Sequence, residues 1–178
     1  MAKVSLSNQA LTLPEVARHY SAVSAATRDF FANADHVALS KHPGLAGYVG
    51  LSIAAIRTNV LTEIDHNSSL AALSCVEAEI RIDYLSRVYN KERDRMSRAL
   101  RAIHKARQGR ARLEADLLLC WRNNSDVSKV LINELIGAFN YRNWLAHGRY
   151  WTPKFGRRYD FLAVYLIADA FLASISWH

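Results

Sequence analysis

The residues best suited to phosphate and acid–base chemistry lie in one short stretch, YRNWLAHGRYW, at 141–151. Arginine binds phosphate oxygens through two parallel N–H groups, and histidine exchanges protons near neutral pH because its ordinary pKa is about 6.5. Arg142 and His147 supply these two groups, and Asn143 can hold a phosphate or the histidine ring. The stretch is a candidate site for breaking phosphodiester bonds. The plain alternative is a histidine that only stabilises a helix C-terminus.

Helical spacing does not place Arg142 and His147 on the same face. Five residues correspond to about 140° around the axis of an ideal helix. The two side chains can converge if the helix ends at Ala146 or His147, or if two chains meet there. Gly148 favours an end at this point, because glycine is preferred just beyond a helix C-terminus.

Two charges of opposite sign lie on apolar helix stripes. Arg142 continues the stripe of its own helix, and Glu77 continues the stripe of an earlier, longer one. A charge on an inward face is costly unless it is matched. We therefore predict that Glu77 pairs with Arg142 across the bundle and orients it. A local pair between Glu77 and Arg81 is the alternative.

Aromatic and basic residues alternate after Gly148. Aromatic rings stack on unpaired bases, and basic side chains follow a nucleic-acid backbone. The alternative is that Trp151 and Phe155 anchor the last helix to the core. The candidate RNA-binding residues are Arg149, Tyr150, Trp151, Lys154, Arg157 and Arg158.

The net charge of +7 is concentrated in residues 81–112, which we call the basic arm. It contains eleven basic and three acidic residues and carries +8, whereas the other 146 residues net to −1. Arginine outnumbers lysine nine to two there, and its planar fork suits phosphate oxygens. The basic arm is a second candidate RNA surface, and a solvated helix face is the alternative.

The composition predicts an all-α protein. The chain contains only 7 Gly and 3 Pro, and no useful stretch alternates as a strand does. We expect a helical extension at 1–66 and a helical domain at 67–178, or one continuous domain. Breaks are expected at Asp65–Ser69, where a serine would cap the next helix, and at 123–125, followed by a cap at Ser125 or Asp126. Helices are predicted at 14–31, 46–63, 69–90 with a continuation to about 107, 111–121, 127–147 and 158–176.

Several classes of protein are disfavoured. The apolar segment 161–177 has 17 residues and contains Asp169, whereas a membrane span needs about 20 apolar residues. Cys75 and Cys120 are predicted to be reduced core residues in a cytoplasmic protein, and no signal peptide is expected. No cofactor or metal is expected, because ligand spacing and a phosphate-binding glycine loop are both missing from the sequence.

The stretch RNWLAHG at 142–148 ends a penultimate helix and resembles the motif of the HEPN superfamily (higher eukaryotes and prokaryotes nucleotide-binding). The preceding long helix, which carries Glu77 in CVEAEIRIDYLSR, also suits that family. The resemblance covers roughly residues 67–176 and leaves the first 65 uncovered. The form of the motif is especially similar to bacterial members of toxin–antitoxin and phage-defence systems.

This resemblance implies a HEPN-like bundle that acts as a metal-independent endoribonuclease, with Arg142 and His147 in the active site and Asn143 as the polar motif residue. RNA would supply its own 2′-hydroxyl nucleophile and leave a 2′,3′-cyclic phosphate and a 5′-hydroxyl. The resemblance also implies a homodimer with a composite site, and an antitoxin or regulatory protein as partner. A non-catalytic RNA-binding or protein-interaction module is the runner-up. A helical structural or regulatory protein whose basic arm docks on an acidic partner, such as a cognate antitoxin, is the third hypothesis.

Overall fold

The computed structural model describes residues 9–48, 50–107 and 110–175, and these residues form helices and turns without any strand. The predicted all-α class is confirmed. The α-helices are α1 (Leu13–Asn33), α2 (His36–Ser40), α3 (Ile53–Tyr89), α4 (Arg95–Arg107), α5 (Leu119–Asn124), α6 (Lys129–Ala146) and α7 (Phe161–Ala173). A 3₁₀ segment covers Pro43–Tyr48, and a π-helical segment covers Leu113–Leu118.

The core is built around α3, against which α1, α4, α6 and α7 all pack. Leu73, Val76 and Ile80 recur at helical spacing and are completely buried. They belong to the same hydrophobic cluster as Leu135 of α6 and Phe171 of α7. Burying each such side chain contributes about 1.5–3 kcal/mol, so this packing fixes α6, which carries the motif, against α3.

The N-terminal helices share this core at one end. Leu13 and Val16 of α1 belong to the main hydrophobic cluster. A second, smaller cluster consists of Phe31, Leu39 and Ile56. The predicted domain boundary after His66 falls inside the continuous helix α3. The division of the chain into two domains stays a prediction.

The break predicted in the Asp-His-Asn-Ser-Ser stretch is wrong, because that stretch lies inside α3. The Asp65 carboxylate accepts hydrogen bonds from the backbone N–H of Phe161 at 2.9 Å and from the Tyr20 hydroxyl at 3.3 Å. It therefore binds the start of α7 and does not end its own helix. Ser68 and Ser69 are buried within α3 and cap nothing.

The chain breaks instead between α3 and α4, so the predicted continuation to about 107 is also wrong. Lys91 adopts a φ of 56°, a left-handed conformation that no helix can continue. The Asp94 carboxylate accepts the backbone N–H of Ser97 at 2.9 Å and so caps α4. The basic arm consequently spans the end of α3, all of α4 and the residues after it.

The cap predicted for α6 is wrong as well. Its N-cap is Ser128, not Ser125 or Asp126. The Ser125 hydroxyl donates to the Trp121 carbonyl at 2.6 Å and ends α5, which confirms the predicted break.

The C-terminal helix α7 is shorter than predicted and ends at Ala173, with residue 176 outside the described residues. None of the described helices combines the length and hydropathy needed to cross a bilayer. Cys75 and Cys120 are buried free thiols, as predicted, and burial raises the pKa of both.

Candidate active site

α6 ends in a Schellman turn around Gly148. The N–H groups of Gly148 and Arg149 donate to the carbonyls of Leu145 and Trp144 at 3.2 and 3.1 Å. Gly148 has a φ of 78°, which glycine adopts without steric cost. The predicted end of the helix is confirmed, and it leaves His147 at the cap position.

The Arg142 side chain reaches from α6 to Glu77 on α3. Its Nη2 lies 3.0 Å from Glu77 Oε2, while Glu77 Oε1 accepts the Nε–H of Arg81 at 2.8 Å. The predicted pair across the bundle is confirmed, and the local alternative forms beside it. The Glu77 and Arg142 side chains are 18% and 29% exposed, so water only partly screens the pair. Because one carboxylate serves two guanidinium groups, this triad keeps a formal charge of +1.

Asn143 is held by a second glutamate, Glu114. Its Nδ2 donates to Glu114 Oε1 at 2.8 Å, and its Oδ1 accepts from Arg142 Nη1 at 3.4 Å. Glu114 belongs to the π-helical segment, a rare geometry that is frequent at functional sites. Sequence reasoning missed Glu114, because an acidic residue in the first turn of a short helix ordinarily signals only a favourable dipole contact.

His147 does not join this cluster. Among the described residues, no hydrogen bond or ion pair links its ring to Arg142 or Asn143. The ring is exposed, and its centroid lies 6.4 Å from that of Trp151. One chain therefore assembles Arg142, Asn143 and Glu77 and leaves His147 apart. The helix ends at Ala146, but this end does not bring His147 into contact with Arg142.

The loop after α6 presents two aromatic rings to solvent. Tyr150 is 82% exposed and Trp151 is 38% exposed, with their ring centroids 4.7 Å apart. Trp144 Nε1 donates to the Trp151 carbonyl at 2.8 Å and ties the loop to α6. Phe155 packs against the core, as the anchoring alternative predicted, whereas Trp151 keeps an exposed surface.

Arg149 is bound to α3 by two residues that sequence reasoning also missed. Its Nη1 lies 2.6 Å from Glu63 Oε1 and 2.8 Å from His66 Nδ1. The hydrogen bond from Arg149 lowers the pKa of Glu63. No sequence pattern marks this contact, because it joins residues 86 positions apart.

The other basic residues of the loop differ in their partners. Arg157 Nη1 lies 3.3 Å from Glu134 Oε1. Lys154 and Arg158 form no ion pair within the described part of the chain. Arg158 lines a wide groove of about 790 Å³ between α1, α3 and the start of α7.

A smaller groove of about 310 Å³ connects the motif to the loop. It brings together Asn143, Trp151 and Lys154, three of the predicted site residues. The groove is also lined by Gly137, Asn140, Pro153 and Phe155.

Within the basic arm, the charge of Arg87 is neutralised by two carboxylates of the same segment, Asp83 and Asp94. Arg87 is buried, with its Nε 2.7 Å from Asp83 Oδ2 and its Nη1 3.5 Å from Asp94 Oδ1. It stabilises the break between α3 and α4 and is not available to a nucleic acid. In the described part of the arm, the exposed basic residues without an ion pair are Lys91, Arg93, Arg95, Arg98, Lys105 and Arg110.

The described residues contain no group of three or more His, Cys, Asp or Glu side chains that could hold a metal ion. Comparisons with protein-family models, with curated proteins and with solved structures found no match for this chain.

Proposed function

We propose that this chain is a HEPN-like, metal-independent endoribonuclease whose active site contains Arg142 and His147. The observation that carries the proposal is the fixed guanidinium of Arg142, held by Glu77 at 3.0 Å and by the Asn143 amide oxygen at 3.4 Å. Each terminal nitrogen of Arg142 uses one N–H in these contacts and has a second one left. Those remaining donors can bind the scissile phosphate and stabilise the charge that develops on it.

In this proposal His147 is the acid–base residue. It is exposed at the end of α6, where a substrate can reach its ring. The 2′-hydroxyl of RNA attacks the adjacent phosphorus, and the 5′-oxygen of the next nucleotide leaves. His147 takes the hydroxyl proton as a base and delivers a proton to the leaving 5′-oxygen as an acid, so that the step balances. Asn143 positions the phosphate, Glu77 orients Arg142, and the products are a 2′,3′-cyclic phosphate and a 5′-hydroxyl.

Within one chain, no described hydrogen bond or ion pair joins His147 to Arg142 or Asn143, and this supports a composite site in a homodimer. Arg142 and Asn143 of one chain and His147 of the other would then act on one phosphate. Tyr150 and Trp151 are exposed beside His147 and can stack on bases near the cleaved bond. A toxin–antitoxin or phage-defence role, with an antitoxin or regulatory protein as partner, rests on the family resemblance alone.

A non-catalytic HEPN-like RNA-binding or protein-interaction module is the second candidate. One observation favours it: Arg142 already pairs with the Glu77 carboxylate without any substrate. The same contact would suit a purely structural arginine.

The two candidates differ in their products on a short single-stranded RNA and its all-deoxy counterpart. For the enzyme, the wild type cleaves only the RNA, whereas His147→Ala cleaves neither strand and still binds RNA. For the module, both proteins bind and neither cleaves. Because His147 is exposed, its replacement should leave the fold intact.

A further inference from the structure

We propose that one end of the basic arm holds the phosphates that flank the cleaved bond of a single-stranded RNA. This inference rests on the proposed function and names the path of the substrate at that site. The residues are Arg107, Arg110 and Arg112, which we call the proximal arginines.

Two contacts place the chain around residues 110–114 against the motif. Arg81 Nη1 donates to the Ala111 carbonyl at 3.4 Å, and the same guanidinium binds Glu77, the partner of Arg142. Three residues further on, Glu114 holds Asn143 at 2.8 Å. Residues 110–114 therefore lie beside the motif, and Arg110 and Arg112 flank Ala111 there.

The direction of α4 brings Arg107 to the same end. Near the start of α4, the Ser97 hydroxyl lies 3.3 Å from Arg87 Nη1. Near its end, His104 Nδ1 lies 2.6 Å from the Tyr84 hydroxyl. α4 thus runs back along α3 towards the motif, and Arg107 is its last residue.

Two of the proximal arginines, Arg107 and Arg112, can exchange their present partner for a phosphate. Arg107 and Arg112 share the carboxylate of Asp116, at 3.2 and 3.4 Å, and their side chains are 45% and 64% exposed. The shared Asp116 carboxylate is 9% exposed, but both guanidinium groups are open to solvent and divide one negative charge between them. A phosphate can therefore draw an arginine away from it. Arg110 is exposed and has no ion pair among the described residues.

The same arm offers a charge-matched control at its other end. Lys91, Arg93 and Arg98, which we call the distal residues, are exposed and form no ion pair in the described structure. Arg98 lies roughly 13 Å from Arg107 along the axis of α4, since a helix rises about 1.5 Å per residue. Removing either set takes three positive charges from the arm, but only the proximal set adjoins the motif.

The test uses the His147→Ala protein, so that the RNA stays intact, with either the proximal or the distal set changed to Gln. Binding of a fluorescein-labelled single-stranded RNA is measured by anisotropy over a series of salt concentrations. The proximal change should raise Kd by about tenfold or more and reduce the salt slope by about 2, since each phosphate contact on a single strand contributes about 0.7. The distal change should raise Kd by less than about threefold. Equal losses, or a larger loss from the distal set, would overturn the proposal.

A second variant, Asp116→Asn, should change RNA affinity in the opposite direction. Asp116→Asn removes the carboxylate that competes for Arg107 and Arg112, while its amide oxygen can still accept the backbone N–H of Arg112. RNA affinity should rise by about two- to fivefold. Unchanged or weaker binding by this variant, with an unaltered melting temperature, would contradict the proposed surface.

The outcomes separate this surface from the ribonuclease proposal. If the proximal change weakens RNA binding more than the distal change but the wild type never cleaves RNA, the proposed surface is supported and the ribonuclease proposal is contradicted. If the wild type cleaves RNA and the two sets of substitutions cause equal losses of RNA affinity, the ribonuclease proposal is supported and the proposed surface is contradicted. A wild-type protein that binds no RNA overturns the proximal surface directly.

Discussion

Glu77 of α3 binds two arginines at once, Arg142 of α6 at 3.0 Å and Arg81 of its own helix at 2.8 Å. It therefore forms a polar link between the motif helix and the central helix, in addition to their hydrophobic packing. The link is polar and only partly exposed, so its loss leaves cationic groups in a poorly solvated place.

Glu77→Gln should lower the free energy of unfolding by about 1–2 kcal/mol, because Arg142 loses its charged partner in a partly buried setting. Urea denaturation measures the change. Glu79→Gln on the same helix is the matched control, and it should cost less than about 0.5 kcal/mol. Adding Arg142→Gln to Glu77→Gln should cost little more than either change alone. Strictly additive losses would mean that the two residues do not interact.

Asn143→Asp should destabilise the protein at neutral pH, because the new carboxylate would lie at the 2.8 Å hydrogen-bond distance from Glu114, closer than the 3.4 Å that separates residue 143 from the attracting Arg142. The expected loss is about 1 kcal/mol or more, and it should shrink at pH 4 as a carboxylate becomes protonated. Glu114→Gln retains an acceptor for the Asn143 amide and should be nearly neutral. Urea denaturation at both pH values checks this. Equal effects of the two substitutions would show that the contact at 2.8 Å does not persist in solution.

Tyr141, next to the motif arginine, should make the free energy of unfolding depend on pH in the alkaline range. Burial raises its pKa to about 12, above the ordinary value near 10. Because the folded pKa is raised, this stabilisation is complete below about pH 10 and is lost as the pH rises towards about 12. Tyr141→Phe should therefore lose less stability between those pH values than the wild type. Parallel pH profiles for the two proteins would rule out this assignment.

A composite site predicts complementation between two inactive variants. Arg142→Ala and His147→Ala proteins, mixed after reversible dissociation, should recover about a quarter of wild-type activity, because half of the random dimers carry one intact site of two. Arg142→Ala mixed with an Arg142→Ala/His147→Ala double variant is the control and should recover nothing. A mixture of the single variants that stays inactive would place both residues of a working site in one chain.

The parts of the site that sequence could predict are those where a residue conflicts with its own helix. Glu77 and Arg142 are charges on apolar stripes, and each predicts the other. Glu114 conflicts with nothing locally, so its contact with Asn143 was missed. The pair between Glu77 and Arg81 was foreseen only as an alternative to the pair between Glu77 and Arg142, whereas the structure contains both. Asp65 led to a wrong prediction, a helix break, because its local preference disagrees with its contacts in the folded chain. A weak helix former predicts a break, but its carboxylate binds the N–H of Phe161, 96 residues away, and tertiary contacts override the local preference.

The π-helical segment is another feature that the local sequence does not reveal. A short helix at 111–121 was predictable from its apolar residues, but its geometry was not. The N–H of Leu117 donates to the Arg112 carbonyl at 3.1 Å, a bond five residues long. Asp116 also accepts the Arg112 N–H at 2.8 Å and closes the first turn. Only the folded chain shows that this turn presents Glu114 to Asn143.

The most direct test of the ribonuclease proposal is the incubation of purified wild type, Arg142→Ala and His147→Ala with total cellular RNA in EDTA, followed by mapping of the cleaved ends. We expect cleavage by the wild type alone, leaving 2′,3′-cyclic phosphates and 5′-hydroxyls. Cleavage by His147→Ala at the wild-type rate, or ends with 5′-phosphates, would contradict the proposed roles of these residues. Intact RNA in all three reactions, with RNA binding retained, would favour the non-catalytic module.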